Sequence, residues 1–210
     1  MITLEAEITS TSNKIIINRT NMLSFDIPHM DRGEIDNASF GIYSNSGKIS
    51  FSDYQGIVPT LNPQTQFNVK VWLVNTLTKG KTLVCDMLTK EWDYDSDSKV
   101  ASVSIYDGLE EWQNINFSGI PYNFNEPSSK TCQYFYEELQ KFSVGLGYKV
   151  ISFEELDEIT QQILTSTVIS YPFLNSSTLW QAWEKLCIVC QLHLFKDFKG
   201  NILCKYGEGM

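Results

Sequence analysis

The chain has 210 residues, is 42% hydrophobic and 13% aromatic, and carries 25 acidic against 16 basic residues for a net charge of -9. That is enough apolar material for a folded core in one large domain or two small ones, and the acidic balance works against nucleic-acid binding, since no run of Lys and Arg supplies a local patch. No window of about eighteen apolar residues predicts a membrane span, and Met1-Ile-Thr-Leu-Glu-Ala-Glu7 lacks the basic head and apolar middle of a signal peptide, so the expected setting is a cytoplasm or a particle assembled there.

Ile2/Leu4/Ala6/Ile8 alternate with Thr3/Glu5/Glu7/Thr9, the pattern of a strand with one buried face. Ile15-Ile-Ile17 and Met22–Ile27 predict two more strands before Pro28–Gly33 interrupts. Asn37–Tyr43 and Gly47–Asp53 flank Ser44-Asn-Ser46 in the layout of a hairpin. The strongest pattern lies between Gln66 and Trp112. Three alternating runs, Val69/Val71/Leu73, Leu83/Cys85/Met87 and Ala101/Val103/Ile105, are separated by turn chemistry at Thr76–Gly80 and Asp93–Ser98. They predict an antiparallel meander that passes into a short helix at Asp107-Gly-Leu-Glu110. Six to eight short strands with a turn about every ten residues predict a small antiparallel β-barrel or sandwich over residues 1–115.

Gly119, Pro121 and Pro127 mark a boundary, and residues 118–210 read as a smaller α+β domain. Ser128 or Ser129 can cap a helix bearing Phe135, Leu139, Phe142 and Leu146, ended by Gly145 and Gly147. Ser152-Phe-Glu-Glu155 is a capping box ahead of Leu156, Ile159 and Ile163. Asn175-Ser-Ser177 caps the strongest helix, Thr178 to about Gln191, with the stripe Leu179, Trp183, Leu186 and Cys190. A closing hairpin, Leu192–Phe195 and Asn201–Tyr206, turns at Lys199-Gly200.

Five cysteines, an odd number in a chain able to build a core, predict reduced and buried thiols. Cys187, Cys190, His193 and Cys204 are metal-ligand types within eighteen residues. Yet the first two fall among Leu186, Ile188 and Val189 in an apolar helix, where thiols pack, whereas structural zinc sites hold such pairs in turns. A redox dithiol opens a helix, and this pair closes one. His29 and His193 have no Ser or Cys in a nucleophile motif beside them. Acids cluster at Asp31/Glu34/Asp36, at Asp93/Asp95/Asp97 and at Glu154/Glu155/Asp157/Glu158. The second set has calcium-like alternation but lacks the glycine and distal glutamate of an EF-hand, so a solvated hairpin tip is the simpler reading. Trp72, Trp92, Trp112, Trp180 and Trp183, with Tyr43, Tyr54, Tyr94 and Tyr106, serve either as core and interface residues or as a sugar-stacking face. No catalytic, cofactor-binding or metal-binding residue is assigned, and no cofactor is expected.

Three features together resemble the tail hub, or baseplate hub and tail-associated protein, family of tailed bacteriophages: Ala38-Ser-Phe-Gly-Ile42 leading to Gly47–Asp53; the meander with Lys90-Glu-Trp-Asp-Tyr-Asp95 and Val103–Leu109; and the closing Ser177–Cys187 helix with Leu194–Gly200. The resemblance implies a β-barrel hub domain forming a ring around the tail axis and an α+β domain packed outside it. It further implies a non-enzymatic virion tail component assembled in the host cytoplasm, joining tail tube to tail tip or baseplate. Its partners would be copies of itself, as a trimer or hexamer, and other phage tail proteins, with no specific nucleic-acid binding and no membrane. Members of that family continue past the second domain, so a chain ending at Gly207-Glu-Gly-Met210 is expected to be a piece of a longer protein. The alternative is a carbohydrate-binding or glycan-degrading tail-tip module using the tryptophans and loop acids.

Overall fold

The computed structural model describes residues 2–11, 13–26, 40–62, 65–120, 129–170, 176–197 and 199–207. It divides into two compact units. The first comprises residues 1–31, 45–108 and 198–200, and the second residues 32–44, 109–197 and 201–210.

The first unit is one seven-stranded sheet. Its strands are β1 (Ile2–Thr9), β2 (Lys14–Ile17), β3 (Met22–Asp26), β5 (Ser46–Ser52), β6 (Asn68–Asn75), β7 (Lys81–Asp95) and β8 (Val100–Tyr106), in the spatial order β2-β1-β6-β7-β8-β5-β3. The intervening β4 (Gly41–Tyr43) belongs to the second unit. All pairings in the sheet are antiparallel.

Strand β7 explains how a single sheet encloses a core. Lys81–Leu88 pairs with β6, and Leu88–Asp95 pairs with β8, so this one strand is shared by two layers. At the far side, β2 and β3 are consecutive in sequence yet stand at opposite ends of the order. Residues 18–21 join them, with the Asn21 side chain accepting from Asn18 N–H and donating to the Ile16 carbonyl. Because so short a connection spans the two ends, the sheet must roll upon itself. No ladder joins β2 to β3. The result is a sandwich-like roll rather than a hydrogen-bonded closed barrel.

Ala6, Ile8, Ile15, Ile17, Val69, Val71, Cys85 and Met87 face inward from one layer, and Ile49, Phe51, Ala101, Val103 and Ile105 from the other. Each large aliphatic side chain so buried contributes about 1.5–3 kcal/mol of transfer free energy. Alternation fails at two places. Val71 pairs with Cys85 but Trp72 with Leu83, so Val84 is an extra residue; here Trp72 is half-buried and Leu73, expected inside, is 41% exposed. Thr89 pairs with Ile105 but Glu91 with Ser104, so Lys90 is a second bulge residue, and the inward phase passes from Met87 and Thr89 to Trp92 and Tyr94.

The second unit holds β4, β9 (Ser129–Thr131), α1 (Cys132–Gly145), α2 (Glu158–Ser166), β10 (Val168–Ser170), α3 (Leu179–Cys190), β11 (Leu192–Lys196) and β12 (Ile202–Tyr206). The order β12-β11-β4 makes a three-stranded sheet, and β9 pairs with β10. The hairpin expected across Ser44–Ser46 does not form. Ile42 of β4 packs against the core of the second unit, whereas Ile49 and Phe51 of β5 lie in that of the first, and β4 runs parallel to β11.

Helix ends differ in detail from the sequence reading. Ser129 belongs to a strand, and α1 begins after Thr131. The Ser152/Glu155 capping box exists, but it caps a single 3-10 turn; α2 starts one step later, where the Asp157 carboxylate accepts from Thr160 N–H. Gly145 and Gly147 do end α1, Gly147 with φ +94°. Thr178, not Ser177 before it, caps α3 by accepting from Gln181 N–H, Asn175 lies outside the described residues, and Leu179, Trp183, Leu186 and Cys190 are buried as the stripe requires. The segment after Asp107 is a 3-10 turn, Leu109–Gln113, that buries Leu109 and Trp112.

Candidate functional site

The thiols come first, because the structure brings four of them into one core. Cys132 opens α1, Cys187 and Cys190 lie on the buried face of α3, and Cys204 is on β12; none exceeds 4% exposure. The Cys190 thiol donates to Cys132 sulfur, and the Cys187 thiol donates to Cys204. Donation and burial push the Cys190 and Cys187 thiols well up from their ordinary range, whereas acceptance pulls Cys132 down. Neutral thiols that bond each other are packing groups, not thiolate ligands. Among the described residues no group of three or more His, Cys, Asp or Glu is arranged to hold a metal.

His193 cannot join this cluster. Cys204 pairs with Leu194 in the β11–β12 ladder, so His193, the next residue along, faces the opposite side. Its ring lies 5.3 Å from each of Phe40 and Tyr43, and its Nδ1 is buried without a partner. Desolvation lowers its pKa below the ordinary value. Gly207 fits tightly against it, since a Cβ there would stand 2.2 Å from Nε2. Sequence reasoning missed Cys132. The signal was its place at the head of the helical series Cys132, Phe135, Tyr136, Leu139, all buried.

Among the described residues the carboxylates do not converge. Asp95 closes the β7–β8 turn by accepting from the backbone N–H groups of Asp97 and Ser98 and from the Ser98 hydroxyl, which holds its pKa below the ordinary value. Glu155 accepts from Ser152 N–H, and Asp157 caps α2. His29, Asp31, Glu34 and Asp36 lie outside the described residues. The tryptophans are dispersed as well. Trp112 stacks on Trp183 at 6.0 Å in the second core, Trp180 is half-buried against that core, Trp92 meets Phe67 edge-on in the first, and Lys81 lies over the Trp72 ring. Tyr106 is buried and accepts from Gln66 Nε2, while Tyr54 is 80% exposed.

What remains is the sheet itself. Its outer face carries cross-strand ion pairs, Lys14–Glu7 at 2.9 Å, Lys70–Asp86 at 3.9 Å and Lys81–Glu5, which run in sequence across β2, β1, β6 and β7. Such exposed pairs contribute little each, and they keep the face hydrated and in register. The terminal strands of the order are different. Ile16 on β2 is 48% exposed and Leu23 on β3 is 56% exposed, and among the described residues each of these strands has a neighbour on one side only.

No protein-family model and no curated protein matches the sequence. Solved structures do. The 43 kDa tail protein of prophage MuSo2 from Shewanella oneidensis superposes with a TM-score of 0.54 at 13% identity, over 99% of this chain and 56% of that one. The tail protein from Neisseria meningitidis MC58 gives 0.52 at 12% identity, over 97% of this chain and 50% of that one. The chain thus spans about half the length of these neighbours. Along nearly the whole chain, the fold is similar to that of these two tail proteins.

Proposed function

We propose that this chain is a structural subunit of a phage tail, a hub or adaptor that assembles into a closed ring and joins the tail tube to the tail tip or baseplate. The observation that carries the reading is the rolled sheet, whose terminal strands β2 and β3 each present an outer edge and an exposed apolar side chain, Ile16 or Leu23. Open edges of this kind are avoided in proteins that remain monomeric, and copies of the same chain can cover them through head-to-tail contacts that close into a ring. The likeness to two tail proteins along nearly the whole chain supports this reading.

In this reading residues 1–115 are the hub domain and residues 118–210 a second, α+β domain. The partners are two or five further copies and the tail proteins above and below the ring. The protein resides in the virion tail after assembly in the host cytoplasm, and no residue is catalytic or holds a cofactor or metal.

Native mass spectrometry and negative-stain imaging from low to high micromolar concentration test the proposal. Closed trimers or hexamers are expected. Leu23→Lys is expected to shift assembly toward the monomer while leaving the circular dichroism spectrum unchanged, because an edge charge resists strand addition. A chain that stays monomeric throughout that range rules the proposal out.

A further inference from the structure

The hairpin between β6 and β7 carries more apolar surface than its own sheet covers. Val71-Trp-Leu-Val74 is a continuous apolar run, and Leu83-Val-Cys85 stands opposite it on β7. Such runs belong to strands buried on both faces, whereas a sheet with one hydrated face alternates. Here, past the Val84 bulge, both faces stay open. Ile2 (67% exposed) and Leu73 lie on one face beside Leu4, and Trp72, Val74 and Leu83 are only half-buried on the other. Leu77, in the connecting turn, is 83% exposed.

The turn is nonetheless fixed. The Asn75 side chain accepts from Leu77 N–H at 3.0 Å and Thr78 N–H at 3.3 Å, its carbonyl accepts from Lys79 N–H at 2.8 Å, and its own N–H donates to the Gly80 carbonyl. A preformed apolar knob loses little conformational entropy when a partner covers it. Charge then selects the partner. Lys79 is exposed at the tip and makes no ion pair among the described residues. At the other end of β7, the turn into β8 exposes Asp93, Asp95 and Asp97 against one lysine, Lys99, and none of these acids is ion-paired among the described residues. About 45 Å of continuous strand separates the two ends, so one copy cannot bring them together.

We infer that the β6–β7 tip is a docking knob for the acidic β7–β8 end of a second copy of this chain. Leu77 leads the apolar contact with Ile2 and Leu73 behind it, and Lys79 pairs with Asp93 or Asp97. Two different patches meet, so the contact is head-to-tail. It uses the ends of the strands, whereas the ring proposed above uses the edges β2 and β3, and neither contact requires the other. Screening shortens the reach of exposed charges from about 10 Å at 0.1 M salt to about 3 Å at 1 M, so the contact weakens as salt rises.

The test treats an equal mixture of isotopically light and heavy full-length chain, at high micromolar concentration, with a water-soluble carbodiimide. This reagent joins an amine to a carboxylate only where the two touch, and mass spectrometry identifies the linked peptides. Links from Lys79 to Asp93, Asp95 or Asp97 between light and heavy copies are expected at low salt and are expected to vanish in molar salt. Leu77→Asp is expected to lower them about tenfold, as the loss of one buried leucine implies, with the circular dichroism spectrum unchanged. Lys79→Glu combined with Asp97→Lys exchanges the two charges and is expected to restore a link between positions 79 and 97. Absence of these links in the natural chain overturns the inference, as do links that persist unchanged in molar salt or in Leu77→Asp. Closed rings imaged without the link refute the knob and leave the ring reading standing, and the link without rings does the reverse.

Discussion

The indole Nε1 of Trp183 donates to the hydroxyl of Ser143 at 3.1 Å, and that hydroxyl donates in turn to the Leu139 carbonyl at 2.8 Å. Both side chains are fully buried, one on α3 and one on α1. Trp183 also stacks on Trp112 and receives Tyr136 edge-on, so the indole is locked and cannot turn to another acceptor. Ser143→Ala leaves this buried donor without a partner and is expected to cost about 1–3 kcal/mol. Denaturant unfolding checks it, and Trp183→Phe in the same background tests the cause. If the unmet N–H is responsible, the second change adds less in Ser143→Ala than it costs alone.

Asp53 plays the corresponding part in the first unit. It is 5% exposed, and its carboxylate accepts from Ile57 N–H at 3.0 Å and Val58 N–H at 2.8 Å, fixing the 3-10 turn that inserts Val58 into the core. Hydrogen bonds to a charged acceptor contribute more than neutral ones. Asp53→Ala is expected to destabilise by about 2–4 kcal/mol through two orphaned donors and a loosened Val58, with Asp53→Asn intermediate. Faster amide exchange at Ile57 and Val58 than elsewhere in the sheet is the local signature to measure.

The meander was legible because Val69, Val71, Cys85, Met87, Ala101, Val103 and Ile105 obey period two and do face one core. The α3 stripe was legible for the same reason at helical spacing. Bulges were not, since an inserted residue such as Val84 or Lys90 leaves a local pattern that reads as continued alternation in the wrong phase. The partner of β4 was equally hidden: Gly41–Tyr43 joins β11, 152 positions along, and three residues carry no record of so distant a neighbour. For the candidate site, composition anticipated buried thiols, but Cys132 escaped because spacing rules look only nearby in sequence.

His193 gives the molecule an acid-sensitive element. Burial lowers its folded-state pKa below the 6.5 expected in the unfolded chain. Between those two values the unfolded state binds more protons than the folded state, so stability falls as pH drops below about 6.5 and levels off once the folded imidazole also protonates. The urea midpoint of the natural chain is expected to decline from about pH 7.5 to about pH 5.5, and His193→Gln to remove part of that decline. Parallel curves for the two proteins would show that His193 does not titrate differently on folding. Gly207→Ala probes the same site by crowding: with Phe40 and Tyr43 flanking the ring, the imidazole has little room to yield, and a loss of about 1–3 kcal/mol is expected.

Lys90 is exposed, its ammonium lies 5.7 Å from the centroid of the buried Tyr106 ring, and the β7–β8 ladder takes it up as an inserted residue. Thr89 faces inward, where its hydroxyl accepts from Phe67 N–H at 3.0 Å, and the bulge then lets Trp92 and Tyr94 face inward as well. Deleting Lys90 would restore strict alternation from Thr89 onward. Trp92 and Tyr94 would then follow Thr89 at period two and still face inward, with Glu91 opposite Ser104 as before, so the deletion regularises the β7–β8 ladder without shifting the turn anchored by Asp95. The deletion is therefore expected to keep the Trp92–Phe67 contact and the Asp95 turn and to cost no more than about 2 kcal/mol, while Lys90→Ala, which keeps the bulge and removes the ammonium set over the Tyr106 ring, is expected to cost about 0.5–1 kcal/mol. Comparing the two by chemical denaturation, with Trp92 fluorescence as the reporter, separates the effect of the inserted backbone from that of the side chain; equal losses in both would mean the lysine side chain itself sustains the strand.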